Sequence, residues 1–266
     1  MKKIGLALGG GGSRGLAHIG VIKCLEDNNI PIDYIAGTSA GALIGGFYSA
    51  WHNIARIEEL VNNVNYQKMI EILFDPLTVT GLIKGEKLTK FLQKNLGNLD
   101  IEKLSIPFCA VASDIISGKS HIFRSGDLVS AIRTSCSIPI VFSPIKTGSE
   151  ILVDGGASMP VPVSAVKNMG ADMVIAVNVY SGLFPNESSN MFTSMYLMLY
   201  HLAQANSSLA DVIIKPHIPN VNPIDFVKAK NLIDLGYEAT LKQIPEIKKF
   251  NSFWYIFRPK TKKNQK

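Results

Sequence analysis

The sequence contains little cysteine, no long apolar run and no cluster of metal ligands. Its three cysteines, at positions 24, 109 and 136, are far apart and form neither a CxxC pair nor a Cys/His ligand spacing. This pattern predicts reduced, mostly buried thiols and a cytoplasmic location, and it indicates neither a metal nor a cofactor. No run of about 18 apolar residues occurs, so the sequence predicts no membrane-spanning helix.

Positive charge is concentrated at the C-terminal end. The 266 residues carry a net charge of +6, and residues 258–266 contribute five positive charges and no acid, which leaves +1 for residues 1–257. Such a tail is either simply solvated or adheres weakly to anionic membrane surfaces. Because residues 1–257 contain no basic stripe with interleaved aromatic residues, we expect no nucleic-acid partner.

Short apolar segments alternate with helical patterns from the start of the chain. Residues 3–8 and 33–36 are typical of strands, and each is followed by glycine-rich sequence and a helical pattern, at 16–28 and 42–51. This repetition predicts parallel βα units, and hence a three-layer α/β/α fold around a mostly parallel central sheet. No linker is apparent, so we expect a single domain over residues 1–257, followed by the basic tail.

The sequence allows more than one structure for two later stretches of the chain. Residues 53–104 are mostly helical in pattern and hold an apolar patch, which either packs between helices or forms a lip over an acyl-chain groove. The patch comprises Phe74, Leu77, Val79, Leu82 and Ile83. Residues 116–124 predict a hairpin or an irregular edge segment around Gly118, and residues 150–153 predict a strand that leads into Asp154.

The first glycine-marked turn lies between a predicted strand and a predicted helix. It comprises Gly9, Gly10, Gly11, Gly12, Ser13, Arg14 and Gly15. Glycines let the backbone approach a ligand closely, and the following helix directs unpaired N–H groups into the turn. The sequence therefore predicts an anion site at this turn.

The same turn also matches the GxGxxG fingerprint of dinucleotide-binding proteins. That fingerprint needs an acid at the end of the second strand. Asp33 lies at the start of this strand, and the end of the strand, at residues 37–39, offers no carboxylate for a ribose. A nucleotide-binding oxidoreductase is therefore disfavoured, as is a Walker loop, because no Lys-Ser/Thr pair closes the turn.

Two further turns carry side chains suited to chemistry. Residues 37–41, GTSAG, form a GxSxG between a strand and a helix, the pattern of a nucleophile elbow that exposes the hydroxyl of Ser39. Residues 154–156, DGG, follow the predicted strand 150–153. We expect all three turns at the carboxyl ends of parallel strands, where one edge of the sheet would hold a nucleophile, a carboxylate and backbone donors. These are the groups that acyl transfer requires.

Taken together, the motifs resemble those of the patatin-like phospholipase family. Residues 10–15 are similar to the oxyanion loop of that family, 37–41 to its nucleophile elbow and 154–156 to its aspartate motif. Residues 133–142, RTSCSIPIVF, are similar to its proline-bearing segment upstream of the aspartate, and 211–216 to the closing strand of small bacterial members. The resemblance implies a patatin-like fold.

The resemblance also implies roles for single residues. Ser39 would attack an ester carbonyl, and Asp154 would take its proton and later activate water against the acyl-enzyme. The N–H groups of Gly10, Gly11 and Gly12 would bind the oxyanion. The residues expected to support these motifs, with Arg14 acting electrostatically, are Ser13, Arg14, Gly15, Gly37, Gly41, Gly155 and Gly156. Because an ordinary Asp is a weak base, we expect Asp154 to be partly desolvated with a raised pKa.

A triad of serine, acid and histidine is the nearest alternative chemistry. After Asp154 only His201 and His217 remain; the first lies in a helical pattern and the second follows a strand-end proline. The elbow also comes at residue 39, too early for the usual strand order of an α/β-hydrolase. We therefore expect no catalytic histidine, and we expect His18 to be structural.

The function implied by the resemblance is a serine acyl hydrolase, a carboxylic ester hydrolase acting on phospholipids or related lipids. Its partner would be a lipid or acyl ester, and a cytoplasmic location with peripheral contact at the inner face of the membrane would suit it. A catalytically degenerate, lipid-binding regulator of the same fold is the alternative, and the complete motifs speak against it.

Overall fold

The computed structural model describes residues 2–63, 83–182, 191–219 and 229–256. Over these residues the chain forms a mixed, mostly parallel β sheet with helices on both faces, so the expected three-layer α/β/α class is confirmed. The basic tail at 258–266 lies outside the described residues, as do four residues of the apolar patch, Phe74, Leu77, Val79 and Leu82.

The secondary structure follows the alternation seen in the sequence. The strands are β1 (Ile4–Leu8), β2 (Tyr34–Thr38), β3 (Phe108–Asp114), β4 (Ser120–Phe123), β5 (Ile145–Thr147), β6 (Glu150–Asp154), β7 (Met173–Val177) and β8 (Val212–Ile214). The helices are α1 (Ala17–Asp27), α2 (Ala40–Trp51), α3 (Ile54–Asn62), α4 (Glu86–Leu96), α5 (Leu128–Ser135), α6 (Val163–Lys167), α7 (Met191–Ser207), α8 (Ala229–Leu241) and α9 (Ile244–Ile256). Short 3₁₀ turns occupy Gly12–Leu16, Ile101–Lys103 and Gly155–Ala157.

The sheet has a parallel centre with antiparallel strands around β3. The parallel strands follow the order β3-β2-β1-β7-β8. Strand β4 pairs antiparallel with residues 110–113 along one edge of β3. Because a strand residue pairs with one partner on each edge, β2 and β6 must share the other edge, β2 at residues 108–111 and β6 at 112–114.

The direction of β6 differs from the sequence prediction. Residues 150–153 lie in a strand as expected, but β6 is antiparallel to β3. Its end nevertheless reaches the predicted rim, because Asp154 pairs with Ala112 while Thr38, at the end of β2, pairs with Val111, the preceding residue of β3. The ends of β2 and β6 therefore meet head to head along one edge of β3.

The two faces of the sheet carry different side chains, since successive strand residues point to opposite sides. Larger residues face the layer that contains α1, α2 and α8; among them are Leu6, Leu8, Ile35 and Phe108. Smaller residues face the layer that contains α6 and α7; among them are Ala7, Ala36, Cys109 and Val111. The parallel strands are almost fully buried on both faces, which explains why their sequences are continuously apolar.

The two stretches that the sequence left open take defined forms where they are described. Residues 116–124 contain a hairpin, in which β4 returns along β3 after a turn with Gly118 at φ 70°. Residues 53–104 contain α3 and α4. Ile83 is buried and forms a parallel bridge with Phe142, so this member of the apolar patch packs inside the fold.

The three cysteines are free thiols, with Cys24 and Cys109 buried and Cys136 half-buried. Burial raises the pKa of Cys109 to about 12, and burial also raises the pKa of Cys24. The expectation of reduced, mostly buried thiols is therefore confirmed. Among helices in the described ranges, none combines the length and the apolarity of a membrane span.

Helices α1 and α8 pack backbone to backbone through two glycines. A methyl group at Gly20 would lie 1.8 Å from the carbonyl oxygen of Ile233, and one at Gly236 would lie 2.0 Å from that of Ala17. Both distances are far below van der Waals contact, and the atoms met are backbone atoms that no rotamer change can move. The approach of these helices therefore depends on glycine at both positions.

We expect Gly20→Ala to destabilise the protein by about 1–3 kcal/mol, because the extra methyl overpacks this contact. By helix propensity alone the same substitution would stabilise the protein by about 1 kcal/mol, because alanine is favoured over glycine in a helix interior. A loss of stability would therefore point to the packing contact. Ala55→Gly, at an exposed position of α3, is the matched control and should cost about 1 kcal/mol from helix propensity alone. Urea unfolding measures both; a Gly20→Ala variant as stable as the wild type would contradict the packing argument.

Candidate active site

The nucleophile elbow lies between β2 and α2, as the sequence predicts. Ser39 has φ 53° and ψ −121°, and α2 begins at the next residue. A positive φ is uncommon for a residue with a side chain and is found where a turn must expose that side chain. The N–H of Ser39 donates to Oγ of Ser135 at 2.9 Å, and this hydroxyl donates in turn to the carbonyl oxygen of Val111 at 2.6 Å. The strained turn is thus tied to β3.

The two glycines of the elbow allow its close approach to the sheet. A methyl group at Gly37 would lie 2.5 Å from Cα of Ala42, and one at Gly41 would lie 2.1 Å from the carbonyl oxygen of Leu8. Neither position tolerates a side chain without moving backbone. Gly37 and Gly41 therefore support the elbow sterically, as expected from the motif.

Asp154 is a buried carboxylic acid; one of its oxygens accepts a hydrogen bond, and the other has no partner in the part of the chain that the structure describes. Oδ1 accepts the N–H of Gly156 at 2.8 Å, and the N–H of Asp154 itself donates to the carbonyl oxygen of Ser137 at 2.8 Å. Oδ2 is buried and has no hydrogen-bond partner among the described residues. Burial raises the pKa of Asp154 from 3.8 to about 6, while the Ser39 hydroxyl and the N–H of Gly156 act in the opposite direction.

The side chains of Ser39 and Asp154 face one another. The Ser39 hydroxyl lies close enough to lower the pKa of the Asp154 carboxyl, although no hydrogen bond of standard geometry joins the two side chains within the described residues. Such bonds are often long before substrate binds and tighten in the reacting complex. The thiol of Cys136 lies beside both groups; burial and then the charge of Asp154 raise its pKa, and the Ser39 hydroxyl lowers it.

In the glycine loop the structure differs from the sequence prediction at Gly10. The N–H of Gly10 donates to the carbonyl oxygen of Pro160 at 2.9 Å, so it is not available to an oxyanion. Gly11 and Gly12 have φ 151° and 59°, and their N–H groups donate to no acceptor in the described part of the chain. Gly10 is therefore removed from the expected donor set and anchors the loop, while Gly11 and Gly12 remain predicted donors.

Ser13, Arg14 and Gly15 fasten this loop to its surroundings. Arg14 is buried; Nε donates to the carbonyl oxygen of Val179 at 2.8 Å, and Nη2 donates to that of Ser181. Burial lowers the pKa of the Arg14 guanidinium. Ser13 is buried as well, and a methyl group at Gly15 would lie 2.4 Å from Cβ of Ala40. Arg14 thus supports the loop through hydrogen bonds to the segment after β7.

The segment after Asp154 crosses the ends of β2 and β1. A methyl group at Gly155 would lie 2.2 Å from the carbonyl oxygen of Val111, so Gly155 permits this crossing. The hydroxyl of Thr38 donates to the carbonyl oxygen of Met159 at 2.8 Å, one residue before the acceptor of the Gly10 N–H. Residues 154–160 therefore connect the acid, the elbow and the glycine loop.

The proline-bearing segment at 133–142 supports the site from the other side. Arg133 is buried and donates to Oγ of Ser137 at 2.7 Å and to the carbonyl oxygen of Lys84, and its guanidinium lies over the ring of Phe142. Because Ser137 accepts the N–H of Asp154, this arginine helps to fix the backbone of the acid.

None of the histidines in the described residues hydrogen-bonds to Ser39 or Asp154. His18 is buried and its Nε2 donates to the carbonyl oxygen of Gly9 at 2.7 Å, so it supports the glycine loop as a structural residue. Burial lowers the pKa of His18 to about 4, which keeps the ring neutral at physiological pH. His201 and His217 are exposed.

Tyr180 is the residue at this site that the sequence analysis missed. It is 4% exposed, and a methyl group at Gly10 would lie 3.2 Å from its Oη and 3.3 Å from Cβ of Ser39. It follows β7 in a segment without a recognisable motif, so no sequence signal pointed to it. Its neighbour α7 contributes Tyr196, whose hydroxyl donates to the carbonyl oxygen of Tyr180 at 2.9 Å.

The described residues include no group of three His, Cys, Asp or Glu side chains placed to hold a metal ion. The arrangement instead brings together a hydroxyl on a strained turn, a carboxyl of raised pKa and two unused backbone N–H groups. Chemically, these groups can support attack by the hydroxyl on a carbonyl carbon, with proton transfer to the acid.

Comparisons with known proteins show which proteins this chain is similar to. A family model described as "Patatin-like phospholipase" matches residues 6–167. The chain is 37% identical over 180 residues to an uncharacterized NTE family protein of Mycobacterium tuberculosis (strain ATCC 25618 / H37Rv), a match that covers 66% of this chain and 49% of that protein. It is 29% identical over 263 residues to "Lysophospholipase NTE1" of Candida albicans (strain SC5314 / ATCC MYA-2876), covering 97% of this chain and 18% of that protein.

Two further comparisons bear on relatives and on the fold. The chain is 33% identical over 187 residues to "Neuropathy target esterase sws" of Drosophila melanogaster, covering 68% of this chain and 13% of that protein. The structure is similar to that of VipD from Legionella pneumophila with a TM-score of 0.58 at 14% identity, covering 92% of this chain and 67% of that chain. The chain thus spans about half of the mycobacterial relative and less than a fifth of the other two.

The buried Asp154 makes the stability of the fold depend on pH. Its pKa is about 6 in the folded state against 3.8 without the fold, so the folded state binds more protons between these values. Stability should therefore fall as pH rises from about 4 to 6. Asp154→Asn removes this titration, and we expect its stability relative to the wild type to increase by up to about 3 kcal/mol between pH 4 and pH 7.

Urea unfolding of both proteins at a series of pH values measures this difference directly. The comparison uses the change with pH, so a constant offset caused by the buried amide of the variant does not affect it. A difference between the two proteins that stays level from pH 4 to pH 7 would contradict the raised pKa.

Proposed function

Because the chain belongs to the patatin-like phospholipase family, we propose that it hydrolyses fatty-acyl esters of phospholipids or related lipids, with Ser39 and Asp154 as its catalytic dyad. The observation that carries this proposal is the meeting of β2 and β6 on one edge of β3. Thr38 and Asp154 pair with adjacent residues there, Val111 and Ala112, so the hydroxyl that follows Thr38 faces the carboxyl.

In the first step the Ser39 oxygen attacks the carbonyl carbon of the ester, and Asp154 takes the hydroxyl proton. The N–H groups of Gly11 and Gly12 stabilise the negative charge that develops on the carbonyl oxygen. They lie at the start of the 3₁₀ turn Gly12–Leu16 and α1, where N–H groups and the helix dipole favour an anion. Collapse of this intermediate releases the alcohol, which takes the proton from Asp154, and leaves an acyl group on Ser39.

In the second step water replaces the alcohol. Asp154 takes a proton from the water, whose oxygen attacks the acyl carbonyl carbon. The bond to the Ser39 oxygen breaks, the proton returns from Asp154 to this oxygen, and the fatty acid leaves. The enzyme ends in its starting state, so no cofactor is needed.

Asp154 can serve as the base without a histidine because burial has raised its pKa. A carboxylate with a pKa of about 6 holds a proton more readily than an exposed one, yet remains mostly ionised at neutral pH. His18 does not compete for this role, since its Nε2 proton is used to hold Gly9 and its pKa is lowered to about 4.

The relatives suggest the first substrates to test. Proteins named lysophospholipase and neuropathy target esterase share the matched region, so a lysophospholipid is the natural first choice, followed by diacyl phospholipids and monoacylglycerols. Peripheral contact of the basic tail at 258–266 with the inner face of the membrane would bring a cytoplasmic enzyme to such lipids.

Replacing the nucleophile tests the proposal directly. We expect Ser39→Ala to lower kcat by about 10⁴-fold or more, because the covalent pathway requires this oxygen. Hydrolysis of a chromogenic ester and release of fatty acid from lysophosphatidylcholine are measured side by side. Ser130→Ala, at an exposed position of α5, is the matched control and should retain full activity. Undiminished hydrolysis by Ser39→Ala would remove the dyad from consideration.

The pH dependence of the reaction tests the base. Because Asp154 must be ionised to accept the proton, kcat/KM should rise with pH through about 6 and level off above about 7. An uncharged ester is used as substrate so that only the enzyme titrates. A profile without an inflection between pH 5 and 7, or one set by a group of pKa near 8, would contradict the assignment of the base.

A further inference from the structure

We propose that the Tyr180 hydroxyl positions the water that hydrolyses the acyl-enzyme, by accepting one hydrogen of that water while Oδ2 of Asp154 accepts the other. The proposal deepens the function proposed above and rests on it. It assigns to Tyr180 a part in the second half of the reaction only.

The ring of Tyr180 is fixed in place from several sides. Its N–H donates to Oδ1 of Asn178 at 3.0 Å, and its carbonyl oxygen accepts the Tyr196 hydroxyl at 2.9 Å. The two tyrosine rings pack with centroids 5.7 Å apart, and the side chain of Tyr180 is 4% exposed. These contacts therefore fix the direction in which the phenol ring points.

The phenol oxygen lies beside both members of the dyad. A methyl group at Gly10 would touch Oη of Tyr180 at 3.2 Å and Cβ of Ser39 at 3.3 Å. A methyl group at Gly156 would lie 3.0 Å from Oδ1 of Asp154 and 3.8 Å from the same Oη. The three side chains thus surround two glycines, and a methyl group at either glycine would be in tight contact with them.

Two polar atoms at this place have no hydrogen-bond partner within the described ranges. Oη of Tyr180 forms no hydrogen bond within the described residues, and the same is true of the buried Oδ2 of Asp154. A buried polar atom such as Oδ2 of Asp154 usually has a partner, and a water molecule supplies one where it finds at least two polar groups. A water between these atoms would give one hydrogen to each and keep its lone pairs for the acyl carbonyl.

The protonation state of Tyr180 suits this role. Burial, and then the charge of Asp154, raise the pKa of the phenol above its ordinary value. Tyr180 therefore stays neutral throughout the working range and adds no second negative charge next to the base. It gains and loses no proton in the reaction: the water gives its proton to Asp154, and its oxygen forms the new bond to the acyl carbon.

The test separates the two halves of the reaction in Tyr180→Phe. Stopped-flow measurement with p-nitrophenyl butyrate records acylation as a burst of p-nitrophenolate and deacylation as the steady rate. We expect a burst rate within about threefold of the wild type and a steady rate lowered about 10- to 100-fold, the effect of losing one hydrogen bond to the attacking water. Tyr48→Phe, which removes a buried hydroxyl that donates to Glu26, is the matched control and should change neither phase.

Adding methanol as a second acyl acceptor gives a further measurement, the ratio of products, which would not change if Tyr180 had only a structural role. Methanol has one hydroxyl hydrogen, which it gives to Asp154, so it does not need Tyr180. We therefore expect the ratio of methyl ester to acid among the products to rise in Tyr180→Phe. Unfolding by urea should show no loss of stability, because the hydroxyl removed has no hydrogen-bond partner in the described part of the chain.

The outcomes distinguish this proposal from the one on which it rests. Equal slowing of burst and steady rate, no change in either, or an unchanged product ratio overturns the role of Tyr180 and leaves the dyad intact. Hydrolysis that persists in Ser39→Ala overturns the dyad and this proposal together.

Discussion

The candidate site depends on the pairing of β3 with two strands along the same edge. Strand β2 reaches Val111 from one end and β6 reaches Ala112 from the other, so their last residues pair with neighbouring residues of β3, which differ by a rise of about 3.3 Å along that strand. The position of Asp154 relative to the turn at Ser39 is therefore not set by a flexible loop. The register of two backbone ladders fixes it, and Ser135 adds a hydrogen-bonded link from the elbow to the carbonyl oxygen of Val111.

The features useful for chemistry are unfavourable for folding. Ser39 adopts a positive φ, Asp154 buries a carboxyl whose Oδ2 has no partner among the described residues, and the N–H groups of Gly11 and Gly12 are likewise unused there. The positive φ and the buried carboxyl each cost about 1–3 kcal/mol, and they persist because the buried sheet and its two helical layers hold the backbone in place. A site of this kind is expected where activity rather than stability has been selected.

The parts of the site that could be predicted from sequence are those with local causes. A strand, a glycine turn and a helix follow from adjacent residues, so the elbow at Ser39 and the glycine loop were found. The direction of β6 could not be predicted, because an apolar strand has the same kind of sequence whether it is parallel or antiparallel to its neighbour. The engagement of the Gly10 N–H depends on Pro160, which is remote in sequence, and Tyr180 belongs to no motif.

The segment that follows Asp154 connects the three turns of the candidate site. It leaves β6, crosses the end of β2, where Met159 accepts the Thr38 hydroxyl, and then crosses the end of β1, where Pro160 accepts the Gly10 N–H. One short stretch of backbone thus joins Asp154, the turn that holds Ser39 and the glycine loop. Catalytic groups must be held to within about 0.5 Å, and hydrogen bonds between backbone elements achieve this better than flexible side chains do. The hydrogen bond from the Gly10 N–H to Pro160 therefore fixes the position of the glycine loop. In that position the N–H groups of Gly11 and Gly12 stay available to an acceptor.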